Sequence, residues 1–181
     1  MTTTARPGRW NEKHVDLDLE TVGGDGRFSG YASIFGAIDL GRDIIEPGAF
    51  AASLRKRGAE AVRMLFQHDP DQPIGRWSEI REDRRGLYVE GRLALGVARG
   101  REVHELMKAG ALDGLPIGFQ TVKARSEKAA GIRRILAADL FEISVVTFPM
   151  QPGARVTAVK HLARDAMLAE TIRRAARAMR P

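Results

Sequence analysis

The chain has 181 residues, 44% of them hydrophobic and 29% charged, which suits one substantial core and excludes whole-chain disorder and fibrous architecture. It contains no cysteine, so disulfide staples, thiolate zinc sites and cysteine nucleophiles are ruled out together. The net charge of +6 comes from 29 Lys plus Arg against 23 Asp plus Glu, and much of the excess lies between Arg155 and Pro181.

Residues 1–12 hold threonines, a proline and a glycine without periodicity and read as a flexible tail. They lack the apolar stretch of a secretory signal, so synthesis inside the cell is expected, and no later run reaches the roughly 20 apolar residues of a membrane span. "HVDLDLET" alternates polar and apolar positions as a half-buried strand does, and "GGDG" turns into a second strand, "RFSGYASIFG", in which Gly30 marks a bulge or a close backbone approach. "AIDLGRDIIEPGAF" reads as loop, and "AFAASLRKRG" as a short helix closed by glycine. "AVRMLFQHDPDQPIGRWSEIRED" gives two strands separated by the loop "HDPDQP", followed by the strand "LYVEGRLAL". In "ARGREVHELMKAG", Val103, Leu106 and Met107 take helical spacing and Gly110 ends the run. Then come "GLPIGFQTVKARS", the turn "EKAAG", and a long strand, "IRRILAADLFEISVVTF", stopped by Pro149. A basic amphipathic helix is expected over 158–181. Short strands with irregularly placed helices predict an α+β domain, mainly antiparallel or a β-barrel flanked by helices. No glycine spacing of a dinucleotide or P-loop motif follows a predicted strand.

Four histidines are available for acid–base work. His68 is the best placed, where the apolar strand "VRMLF" gives way to an acidic loop, although a solvent-exposed ring accounts for a lone histidine equally simply. His104, beside Glu102 and Glu105, reads as part of a solvated helix face, and His14 and His161 lie near the termini. No histidine pair has helical zinc spacing, and Asp39, Asp43 and Glu46 read as a solvated turn, so no metal and no cofactor is expected. Glu142 interrupts an apolar strand. It either faces solvent or needs a partner, and a histidine would suit it, because a carboxylate fixes an imidazole's tautomer. Ser144 shares its strand face, while Ile143 and Thr147 fall on the other. The basic C-terminal stretch is read first as a solvated face; without interleaved aromatics it offers nucleic acid phosphate contacts alone, and nucleic-acid binding is not the favoured reading.

The segments "GYASIFG" with "IIEPGAF", "VRMLFQHDPDQPIGRW", "GLPIGFQTV" and "DLFEISVVTFPMQPGARV" occur in an order that resembles the prohead (capsid maturation) proteases of tailed phages and phage-derived gene transfer particles. That resemblance implies an assemblin-like β-barrel surrounded by helices, with a protease-like domain over 13–157, and a serine endopeptidase. It implies action in the cytoplasm, inside the immature capsid, on the major capsid protein precursor or its scaffold segment, with self-processing and self-association.

Carried over by residue, the resemblance makes His68 the general base and Glu142 its orienting acid. The family's serine nucleophile aligns with Pro116, which has neither a hydroxyl to attack a carbonyl nor an N–H to donate. Four explanations stand side by side: a displaced nucleophile, for which Ser144 is the best substitute; an inactive relative that keeps the fold and serves assembly; a misplaced register; and an introduced replacement of the serine. Thr121 is expected to face away from position 116.

Overall fold

A computed structural model of the protein describes residues 24–158. The predicted strand over 14–21, the N-terminal tail, His14, His161 and all but the first residue of the predicted basic helix lie outside them. The elements are β1 (Arg27–Ile34), β2 (Asp43–Ile45), α1 (Ala51–Arg57), a short 3₁₀ turn (Ala59–Ala61), β3 (Arg63–Phe66), β4 (Asp69–Glu82), β5 (Gly86–Leu93), α2 (Ala98–Lys108), β6 (Ile117–Glu127), β7 (Ile132–Val145) and β8 (Val156–Ala158).

Alternation decides which face of the sheet is inside. Phe28 and Ala32 on β1, Leu87, Val89 and Leu93 on β5, and Trp77 on β4 are buried, while their strand neighbours Arg27, Arg92 and Arg76 are exposed. The inward set joins Met64, Leu115, Ile135, Leu140, Ile143 and Val145 in one apolar core. Trp77 can lie flat across β5 because residue 91 is glycine: a Cβ there would stand 2.7 Å from the indole and 2.4 Å from Met64 Cε.

The strands form one sheet in the order β2-β7-β3-β4-β5-β1-β8, with β6 on β7. β6 covers one edge of β7 along its length, while the other edge is shared, β2 pairing in parallel with Arg133–Ile135 and β3 in parallel with Glu142–Val145. Bridges from Gly114 to both Val146 and Arg155 bring the two ends of the sheet together, and an Arg155–Asp113 ion pair ties the same junction. The sheet thereby curls into a barrel. The expected barrel with flanking helices is the observed architecture among the described residues. Gly30 has the close approach read from the sequence, since a Cβ there would lie 2.3 Å from the Arg155 carbonyl oxygen.

α1 is fastened to β7 by a polar clasp. Ser53 Oγ accepts from Leu140 N–H (2.9 Å) and donates to Asp139 (3.0 Å), and Arg57 grips Asp139 with two nitrogens at 2.8 and 2.6 Å. The Arg57 hydrogen bond, aided by Ser53, lowers the Asp139 pKa to about 2.

Four expectations are corrected. The segment read as loop over 37–50 contains β2, held by the Asp43–Arg133 ion pair at 2.5 Å. The loop "HDPDQP" is shorter than expected, because β4 already begins at Asp69. The long final strand stops at Val145, four residues before Pro149. On α2 the inward stripe is Gly100, Val103, His104 and Met107, so His104 is buried and Leu106 is 41% exposed. Gly100 turns the helix that way: a Cβ there would lie 2.2 Å from the Ala94 carbonyl oxygen, so the helix packs against the Ala94 backbone through its glycine face.

Candidate active site

β3 and β4 are joined by a two-residue hairpin, Gln67-His68, with Phe66 opposite Asp69. Both residues are left-handed, φ 53° and 60°, the pattern of a type I′ turn that Asn-Gly usually fills. Holding two side-chain-bearing residues there costs on the order of 1 kcal/mol each. The strain aims the imidazole: Gln67 N–H is anchored on the Val145 carbonyl (3.1 Å) and its side chain donates to Thr147 Oγ1 (3.1 Å), fixing His68 over the end of β7. Gln67→Gly is expected to raise unfolding stability by about 0.5–1 kcal/mol, read from urea midpoints, because glycine relieves the left-handed strain at the loss of one exposed hydrogen bond.

Glu142 reaches the same face through a bulge. Gly118 pairs with Glu142 but Phe119 pairs with Leu140, leaving Phe141 as an extra residue on β7. The alternation therefore slips, and Glu142 faces outward while Leu140 and Ile143 both point into the core. The carboxylate lies over a glycine. A Cβ on Gly118 would be 2.3 Å from Glu142 Oε1 and 2.9 Å from Cδ.

The three groups close a circuit. Glu142 Oε1 accepts from His68 Nδ1 at 2.7 Å, Ser144 Oγ donates to Glu142 Oε2 at 2.7 Å, and the His68 backbone N–H donates to Ser144 Oγ at 3.1 Å. With the carboxylate accepting, Nδ1 carries the proton and Nε2 keeps the lone pair, the tautomer a general base requires. The hydrogen bond to Glu142 raises the His68 pKa above 6.5, outweighing the downward pull of desolvation. Because the folded value is raised, this pair stabilises the fold below the imidazole's ordinary pKa, and the contribution is lost as pH rises through the folded value.

The serine offered by the sequence as a displaced nucleophile lies within this circuit. Ser144 is fully buried, its proton goes to Glu142 and its lone pair takes the His68 amide. It links the Glu142 carboxylate to the His68 backbone. Pro116 sits on the opposite edge of β7. Its carbonyl accepts from Ser144 N–H at 3.0 Å, between the Gly114–Val146 bridge and the Gly118–Glu142 pair. Positions 114, 116 and 118 alternate onto one face, so residue 116 stands across from Ser144 on the side that carries Glu142. Pro116 is buried there.

Gly118 is the site residue that sequence reasoning missed, although a glycine inside a strand is the usual sign of a close approach. Gly118→Ala is expected to push the carboxylate off Nδ1 while changing stability little, because the displaced atoms are the end of a flexible side chain. The His68 pKa then falls toward 6.5, followed by the imidazole proton resonance against pH.

Comparison with known proteins matches the chain to a family. The caudovirus prohead serine proteases match residues 14–168. The prohead protease of Enterobacteria phage HK97 is 36% identical over 149 residues, covering 81% of this chain and 65% of that protein. The prohead protease of Escherichia phage T5 is 26% identical over 148 residues, 81% of this chain and 69% of its own. A capsid polyprotein of Pseudomonas phage PAJU2 is 29% identical over 133 residues, 70% of this chain and 19% of its own. The chain thus spans about two thirds of the two proteases and a fifth of the polyprotein. Among solved structures, the capsid assembly protease of bacteriophage T4 superimposes with TM-score 0.55 at 13% identity, covering 68% of this chain and 82% of its own. The KSHV protease crystallised with a hexapeptide phosphonate inhibitor gives 0.52 at 10% identity, 72% and 63%. These two share the fold, an assemblin-like barrel with flanking helices. The chain belongs to the caudovirus prohead serine protease family.

Proposed function

We propose that this chain carries the acid–base half of a peptide-cleaving site, with His68 as general base, Glu142 as its orienting acid and Ser144 as a positioning residue, and that position 116 is where the attacking hydroxyl belongs. The observation that carries the reading is the His68–Glu142–Ser144 circuit, built on the edge of β7 opposite Pro116. With a hydroxyl at 116, Nε2 takes its proton, the oxygen attacks a substrate carbonyl, His68 returns the proton to the leaving amine, and water releases the acyl enzyme.

With proline there, the first bond has no atom to form it. The chain as it stands therefore acts in capsid maturation as a non-cleaving member of its family, docking on the major capsid protein precursor or its scaffold segment inside the immature shell, with self-association as its further contact. The second reading, an active endopeptidase that also processes itself, is favoured by the intact base–acid geometry and requires a nucleophile from elsewhere. Restoring the hydroxyl separates them: Pro116→Ser is expected to gain cleavage of the coexpressed capsid precursor from none. High cleavage before the replacement supports the second reading.

A further inference from the structure

Strand register brings four arginines from distant parts of the chain into one row. Arg27 of β1 stands opposite Arg92 of β5, Arg92 opposite Arg76 of β4, Arg76 opposite Arg63 of β3, and Arg63 opposite Glu142 of β7. All four arginines are exposed on the outer face of the barrel. At roughly 4.8 Å between strands the row covers about 14 Å and ends against the His68–Glu142 circuit.

Like charges directly opposite one another destabilise a sheet. Little in the described residues offsets them. Asp25 pairs with Arg27 at 3.1 Å, and its carbonyl accepts from Arg92 at 2.9 Å. Among the described residues, the guanidinium groups of Arg63 and Arg76 make no hydrogen bond or ion pair. Arg27, Arg76 and Arg92 also line a surface groove of about 550 Å³ whose carboxylate, Glu90, is engaged by the Tyr88 hydroxyl at 2.9 Å. Such a row gains stability when an anion arrives from outside.

We propose that the arginine row docks an acidic helical segment of a partner polypeptide on a track leading to the His68–Glu142 pair. The Cβ atoms of residues at i and i+4 along a helix lie about 5–6 Å apart, close to the strand spacing of the arginines. Phosphates that wind around a duplex match a straight row less well. Only the direction of the track rests on the proposed active site; the binding does not.

The test uses the full chain and a fluorescein-labelled, alanine-rich helical peptide with glutamates at i, i+4 repeats, its glutamine counterpart, and duplex DNA as competitor, followed by anisotropy at low salt. The glutamate peptide is expected to bind and the glutamine peptide not. Arg76→Glu with Arg92→Glu weakens binding about tenfold or more, while reversal at Arg84, exposed in the β4–β5 turn, leaves it unchanged. Arg76→Glu alone raises the thermal midpoint, because a carboxylate then stands between the guanidinium groups of Arg92 and Arg63; a merely destabilised variant moves the other way. Arg76→Gln alone shifts both readouts in the same directions. Equal binding of the two peptides, indifference to the reversal, a lowered midpoint, or duplex DNA competing with the same arginine dependence overturns the proposal. Peptide cleavage enters none of these readouts, so their failure leaves the His68 assignment standing, and the reverse holds too.

Discussion

Pro116→Ser is expected to create a phosphonate-reactive, peptide-cleaving site that, on the function proposed above, the unaltered chain lacks. Serine restores two groups at once: a hydroxyl on the face that carries Glu142, and a backbone N–H opposite the Ser144 carbonyl. Removing the nucleophile from a working triad costs on the order of 10⁶ in turnover, so supplying it beside the existing His68–Glu142 contact should be worth a comparable factor if these are the proposed base and acid. The serine enters at the first position before β6, where the chain is already extended and its carbonyl already bonded to Ser144, so no refolding is needed. Mass spectrometry after phosphonate treatment is expected to locate the adduct on residue 116, and on no residue of the unaltered chain. An adduct on Ser144 would reverse the roles assigned to these two positions.

The second large effect is at Glu142, the proposed orienting acid. In the Pro116→Ser background, Glu142→Gln is expected to lower turnover by about 10⁴, because an amide can donate to Nδ1 and so stabilise the wrong imidazole tautomer. It also moves the pH profile in a defined direction. The Glu142 hydrogen bond holds the His68 pKa above 6.5, and a base works only when neutral, so the acid limb of the rate lies above pH 6.5. Without the carboxylate, the imidazole loses its proton more easily and the limb shifts to lower pH. A loss of activity with an unmoved limb would mean that Glu142 supports the fold and not the base.

How much of this could be read from the residues differs by element. Glu142 was legible because a carboxylate inside an apolar strand must face water or find a partner, and a histidine was the partner chemistry suggested. The distance between them was not legible, since it depends on parallel pairing of β3 with β7, which brings together two residues 74 positions apart. The bulge at Phe141 and the two left-handed residues of the β3–β4 turn carry no sequence sign, as neither holds the glycine or asparagine that normally announces such geometry. β2 was missed because three residues in a glycine-bearing loop become a strand only through β7. His104 misled for a local reason: charged neighbours suggested water, yet Gly100 turns that side of the helix inward. The arginine row could not be seen at all, because its members come from four strands and only register aligns them.

The account stands most directly on the intact mass of the capsid precursor after coexpression with three versions of this chain. It predicts an uncut precursor with the unaltered chain, a cut precursor with Pro116→Ser, and an uncut precursor again when His68→Ala is added to that serine. A precursor cut by the unaltered chain, or left whole by the Pro116→Ser chain, would contradict it.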